Sequence, residues 1–392
     1  MPAQQRVFLH IGPPKTGTTY LQSVLWDNKA RLAQAGVTLP GSGPAPHFAA
    51  AADLRGRADR AGAWDAMAKE VRTAPGVSVV SCEWLAFCTP EQVRRAVTSF
   101  GEAEVHVVVT LRDLGRVVPA VWQEQIKNGK KFTMTEFLKQ LENPGAHSYG
   151  TTFWSAQDTR QLLGRWGKEL PSDRMHVVTL PRPGASPDEL WLRFGSLFLG
   201  DDAPPASFDT SRVKANAGLD PAEAEMLRRV NAELGGRLPK AAHAPLVKAL
   251  LHEALTASDR SGSKVRLPAE AVTMIATRAD EITQWLRSSG FDVVGDLDDL
   301  SVAPASGQTA LPEESSEDAV AKAAVRAMAT LLLTMQADGA HRRRVWRRAP
   351  GKGAAKANAK EKAKATLTAT APHRVVRLAR RAADRARRAV RS

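Results

Sequence analysis

The first residues able to do chemistry form the run His10-Ile11-Gly12-Pro13-Pro14-Lys15-Thr16-Gly17-Thr18-Thr19-Tyr20, which overlaps the short apolar stretch RVFLHI (6–11). A strand, a glycine-containing turn and a helix start gather backbone N–H groups around one point. The positive end of the helix dipole adds to them, so the segment reads as an anion cradle. Gly12 and Gly17 permit the tight path, and Thr18 and Thr19 either cap the helix or donate to phosphate oxygens. The glycine separation is that of the triphosphatase loop G-x-x-x-x-G-K-[ST]. Thr18 nevertheless stands where that loop has its lysine, and Lys15 lies inside the loop instead. This argues against ATP or GTP hydrolysis. A second segment, VVVTLRDLGRVVPAVWQE (107–124), repeats the logic, with Arg112 at the end of an apolar run and a helix pattern after it. The planar fork of Arg112 suits bidentate phosphate binding; its competing role is a salt bridge with Asp113 at a sheet edge.

Four β-branched runs must position these residues: 6–11, 77–82, 104–111 and 175–180. Between them, 18–35, 60–74, 90–99 and 113–128 have helical composition and apolar spacing. The alternation predicts an α/β fold with a parallel sheet flanked by helices, and ligand sites at the carboxyl ends of the strands. Residues 220–289 read mainly as helices, a helical C-terminal part of the same body. Only Trp346, of all the aromatic residues, lies beyond Phe291. Because aromatics dominate core burial, the expected organisation is a body over 1–300, a linker over 301–318, a helix over 319–338 and a basic tail over 339–392.

Hydrophobic residues at 43% and charged residues at 24% describe a globular chain and exclude a wholly disordered one. No apolar run approaches the roughly 18 residues of a membrane span. The amino terminus has no secretory pattern, and Cys82 and Cys88 make no disulfide framework, so a reduced, cytoplasmic protein is expected. The net charge of +14 resides in the tail, where residues 340–392 hold eighteen Lys/Arg against two acids. The body is therefore nearly neutral. The tail reads either as a solvated, largely disordered segment or as a basic amphipathic helix. The latter would contact an anionic membrane surface, peripherally at the inner membrane, or a polyanion. No specific nucleic-acid recognition is expected.

The stretch Pro14-Lys15-Thr16-Gly17-Thr18-Thr19-Tyr20 resembles the 5′-phosphosulfate loop of sulfotransferases, P-K-[ST]-G-T-T-[WY]. The whole of about 5–300 is similar to bacterial sulfotransferase-like proteins that use 3′-phosphoadenosine 5′-phosphosulfate (PAPS). The resemblance implies a P-loop nucleotide-kinase-like fold, PAPS as co-substrate and no metal. It assigns Lys15 to the bridging oxygen of the leaving group, Thr16 to Thr19 to the 5′-phosphate, and Tyr20 to the neighbourhood of the adenine. Arg112 matches the arginine of the family's 3′-phosphate site, but Ala120 stands where the family has a serine, leaving water or Arg116 to replace its hydrogen bond. Lys214, in SRVKANAG (211–218), would belong to the basic loop that closes over the same phosphate.

An acceptor hydroxyl needs a base as it attacks sulfur. Glu83, after strand 77–82, is favoured partly by analogy and partly by position; capping or pairing with an arginine is its bland alternative. His47 is the rival base or an acceptor contact. Trp122, Gln123, Glu124, Phe153 and Trp154 would border an acceptor cleft, although buried aromatics are more often core. The expected acceptor is a carbohydrate, glycolipid or small-molecule hydroxyl. The alternatives are a small-molecule or nucleotide kinase and a non-catalytic nucleotide-binding adaptor.

Overall fold

The computed structural model describes residues 4–211, 218–239, 243, 246–247, 264–304 and 311–348, with backbone alone at 334, 335 and 337–348. Six strands form one all-parallel sheet: β1 (Arg6–His10), β2 (Val37–Thr38), β3 (Val77–Ser81), β4 (Glu104–Leu111), β5 (Met175–Thr179) and β6 (Asp292–Val294). Their spatial order is β2-β3-β1-β4-β5-β6. The helices are α1 (Thr18–Asp27), α2 (Lys29–Gln34), α3 (Pro44–Leu54), α4 (Ala63–Thr73), α5 (Pro90–Thr98), α6 (Leu114–Lys127) and α7 (Met134–Glu142). They continue with α8 (Ser148–Gln157), α9 (Thr159–Trp166), α10 (Glu189–Gly195), α11 (Pro221–Leu234), α12 (Ala269–Ser288) and α13 (Glu317–Arg348).

The central strands are Val-rich because both faces are covered. Every residue of β3 and β5, and all of β4 after Glu104, is buried. One core cluster joins Phe8, Val79, Val108 and Val178 to Leu21 and Leu25 of α1 and to Trp191 and Phe194 of α10. The predicted helix over 18–35 is broken. At Asn28 the side-chain amide donates to the Val24 carbonyl (2.8 Å) and the Asp209 carbonyl (2.8 Å), dividing it into α1 and α2. At the amino ends of β4, β5 and β6, the chain Glu104–His106–His176–Asp292 runs through contacts of 2.7, 2.8 and 2.7 Å.

The chain divides into two compact units interleaved in sequence, where the sequence predicts one body over 1–300. The first holds the described residues of 1–121, 135–216 and 266–309 and contains the sheet; the second holds the described residues of 122–134, 217–265 and 310–392. The second has its own bonds, which composition alone does not reveal. Asn231 donates to the carbonyls of Ile126 and Lys130, Glu313 accepts from the Met134 N–H, and Arg229 pairs with both Glu225 and Glu317. The expected linker therefore contains a 3₁₀ turn at Pro312–Glu314 and the start of α13. That helix begins before 319 and runs past 338, taking in the first ten residues assigned to the tail. Residues 349–392 lie outside the described residues.

Candidate functional site

The chain leaves β1 toward β2 at one edge of the sheet and leaves β4 toward β5 on the other side. Such a reversal opens a crevice at the carboxyl ends of the strands. The segments emerging there are the loop 11–17 and the residues that follow Leu111. They are joined directly: Arg112 Nη1 donates to the Lys15 carbonyl at 3.4 Å.

The loop has the geometry of a constrained anion cradle. Lys15 has φ 72°, the only positive φ of a non-glycine among the described residues. That left-handed conformation costs on the order of 1–3 kcal/mol and is concentrated at binding sites. Gly17 has φ 88° and begins α1 with no side-chain cap, so the first backbone N–H groups of α1 are left to the loop. At Gly12 a Cβ would lie 2.8 Å from His10 Nε2, so the close approach requires glycine. Thr18 Oγ1, Tyr20 Oη and Arg112 Nε are buried and without a hydrogen-bond partner among the described residues. Buried polar atoms are almost always satisfied, and two of these three belong to side chains expected to hold phosphate.

Arg112 carries the electrostatics. Its guanidinium is largely buried with no ion pair among the described residues; burial first and Arg116 second push it below its ordinary pKa, with Asp113 opposing. Asp113 is taken by Arg116 instead, through the Arg116 N–H at 3.0 Å and a side-chain ion pair. Spacing i,i+3 on a helix puts those two together. Arg116 is therefore committed to Asp113 and to the Pro181 carbonyl (3.4 Å), which corrects its expected part in phosphate binding. Thr16 is corrected in part. Its hydroxyl donates to the Pro13 carbonyl (2.6 Å), which leaves only its backbone N–H for an anion. The Pro14 carbonyl accepts from Gln157, Thr19 is exposed, and Tyr20 packs half-buried against the core cluster. Lys214 lies outside the described residues.

Thr16 ends a hydrogen-bonded chain that crosses three strands. Thr16 Oγ1 meets Thr110 Oγ1 at 2.9 Å, Thr110 meets His10 Nε2 at 3.2 Å, and His10 Nδ1 meets Ser81 Oγ at 2.8 Å. Gln22 Nε2 reaches Ser81 Oγ at 3.3 Å and the Ser81 carbonyl at 3.2 Å. Register explains the meeting, since His10 pairs with Ser81 across β1 and β3. Complete burial pushes the His10 pKa down to about 3, so the ring is neutral.

This has a consequence for stability. An unfolded histidine takes up its proton near pH 6.5, whereas native His10 refuses it down to about 3. Stability is then fully present above pH 6.5 and falls with acidification, by about 1.4 kcal/mol per pH unit from this residue. Denaturant unfolding at pH 6.5 and 5 will show about 2 kcal/mol less acid sensitivity in a His10→Gln variant than in the parent. Equal sensitivity would remove His10 as the cause.

Beside this chain, at the end of β3, lies a cleft of about 350 Å³. Gln22, Ser81, Cys82 and Glu83 form its polar side, Pro44, Ala45, Phe48 and Ala49 of α3 its apolar side, and Arg60 completes it. Glu83 opens the 3₁₀ turn Glu83–Phe87, whose cap is Cys82. The Glu83 carboxylate makes no hydrogen bond and no ion pair among the described residues, so neither bland alternative is realised. Burial and the Glu83 charge push the Cys82 thiol up to about 12, which keeps it protonated. His47 does not serve as a base. Its Nδ1 accepts from the Ser81 N–H (3.1 Å), its Nε2–H donates to the Pro40 carbonyl (2.8 Å), and burial lowers its pKa. With both nitrogens engaged, His47 is a brace for Ser81. Trp122, Phe153 and Trp154 are buried and are core.

The sequence reading missed His10, Gln22 and Thr110. His10, Ser81 and Thr110 each stand next to last in their runs, but other polar residues (Arg6, Ser78, Glu104, His106) stand in the same runs, so position alone does not single them out. Among the described residues no group of three or more His, Cys, Asp or Glu is arranged to hold a metal, and no helix is long and apolar enough to cross a membrane. Set against protein-family models, curated proteins and solved structures, the chain finds no match.

Proposed function

We propose that this chain is a PAPS-dependent sulfotransferase with a P-loop nucleotide-kinase-like core. The observation that carries the reading is Arg112, a largely buried guanidinium with no ion pair among the described residues, bonded to the carbonyl of the strained Lys15 in a strand–loop–helix cradle. A largely buried cation whose neighbouring carboxylate, Asp113, is held by another arginine is costly unless a ligand supplies a further negative charge. An adenosine bearing a 5′-phosphosulfate and a 3′-phosphate supplies anions at both the loop and the arginine.

In this reading the loop N–H groups and Thr18 hold the 5′-phosphate, and Arg112 holds the 3′-phosphate. The acceptor oxygen forms a bond to sulfur in line with the breaking bond between sulfur and the bridging oxygen. That electron pair leaves on the 5′-phosphate of 3′-phosphoadenosine 5′-phosphate (PAP), next to the Lys15 ammonium. The acceptor's proton passes to Glu83. Positioning and preorganised charge do most of the work of such a displacement. The acceptor is a hydroxyl of a carbohydrate, glycolipid or small molecule, and the basic tail contacts an anionic membrane surface or another polyanion.

The test is release of PAP from PAPS in the presence of hydroxyl acceptors. Glu83→Gln will lower turnover by about 10²–10⁴-fold while PAP affinity is unchanged. Unaltered turnover would take Glu83 out of the mechanism, and absence of PAP release under every acceptor would reject the enzyme.

A further inference from the structure

The buried hydrogen-bond chain fixes which way the Gln22 amide faces, and that orientation carries information about the acceptor. Thr16 has one hydroxyl proton, and it goes to the Pro13 carbonyl, which only accepts. Thr110 must therefore donate to Thr16, and His10 Nε2–H must donate to Thr110. A neutral His10 protonated at Nε2 has a bare Nδ1, which accepts from the Ser81 hydroxyl. With its proton spent, Ser81 Oγ can only accept, and the Ser81 carbonyl beside it likewise. Gln22 satisfies both with its NH₂ group. No other assignment of the amide makes all of these bonds. The Gln22 carbonyl oxygen is then the end left for the cleft that Gln22 lines.

The polar side of the cleft thus presents two hydrogen-bond acceptors, Gln22 Oε1 and the Glu83 carboxylate. Arg60 is a donor, but it is exposed and lies 3.6 Å from Asp59. Ala45, Ala49 and Phe48, whose side chains form no hydrogen bonds, also line the cleft; Phe48 is 41% exposed and packs 4.3 Å from the Trp84 ring. We infer that the cleft selects a ring bearing two neighbouring hydroxyls, one directed to Glu83 and the other to Gln22, with its apolar face on Phe48. Gln22 is the specificity-determining residue. The inference rests on the sulfuryl-transfer reading for the fate of the first hydroxyl, and on the hydrogen-bond assignment of the Gln22 amide for the second.

A pocket built to accept from a hydroxyl rejects an analogue lacking it, because its own oxygen is left unpaired. Ligand-observed NMR titration of the full chain with cis-cyclohexane-1,2-diol and cyclohexanol tests this without donor or turnover. The parent will bind the diol about tenfold more tightly, the worth of one ordinary hydrogen bond. Gln22→Met, close in shape but with no carbonyl, will bind the two alike while keeping its PAP affinity. Equal binding of diol and alcohol by the parent overturns the inference, and that comparison needs no variant. A preference that persists in Gln22→Met, or a loss of PAP affinity with it, also overturns it. A parent that prefers the diol but binds no PAP would sustain the cleft assignment and defeat the sulfotransferase reading.

Discussion

Replacing Lys15 by methionine will lower sulfuryl transfer by about 10²–10³-fold, the effect of removing one preorganised donor from the site of developing charge. In the proposed displacement, negative charge grows on the bridging oxygen as the bond from sulfur breaks, and the Lys15 ammonium would stabilise that charge more than it stabilises the ground state. The variant keeps the backbone conformation, since methionine at φ 72° bears the same left-handed strain as lysine. Steady-state kinetics will therefore show the loss in kcat with PAP affinity little changed. A loss confined to KM would make Lys15 a binding residue, and unchanged turnover would remove it from the mechanism.

Arg112→Met will act in two opposite directions. In the free protein the guanidinium is a largely buried charge whose only described hydrogen bond goes to the Lys15 carbonyl, and its Nε has no partner among the described residues. An apolar side chain of similar length removes that uncompensated desolvation, and the free protein will gain about 1–3 kcal/mol of stability. PAP binding will weaken by about 2–5 kcal/mol, because the 3′-phosphate would then enter a desolvated site with no cation. Thermal unfolding with and without PAP reads both effects at once. The variant's free form will melt higher than the parent's, while its PAP-dependent upward shift will be largely lost. A variant that melts lower without ligand would show that Arg112 is a structural cation.

Much of the scaffold was legible in the sequence because buried parallel strands have to be continuous apolar runs. RVFLHI, VSVVSC, EVHVVVTL and MHVVTL each contain one of the four central strands. The edge strands β2 and β6, of two and three residues, are too short to carry a pattern and exist through pairing alone. The loop was legible because its function depends on local order: two glycines, a lysine and a helix start. Arg112 and Arg116 were separable in principle, since Asp113 lies three residues before Arg116 and one helical turn joins them. The chain from Gln22 to Thr16 was not legible. Its members lie on three strands, a loop and a helix, and the register of β3, β1 and β4 brings the strand members into contact. His47 illustrates the same limit, for its place early in a helix was readable whereas the engagement of both ring nitrogens is a tertiary fact.

The most direct measurement is calorimetric titration of the full chain with PAP, set against ATP plus magnesium. The loop and Arg112 predict saturable PAP binding that is several-fold tighter than ATP and independent of magnesium. Preferential, magnesium-dependent binding of ATP, or no heat with PAP, would contradict the assignment of the cradle to a sulfated adenosine.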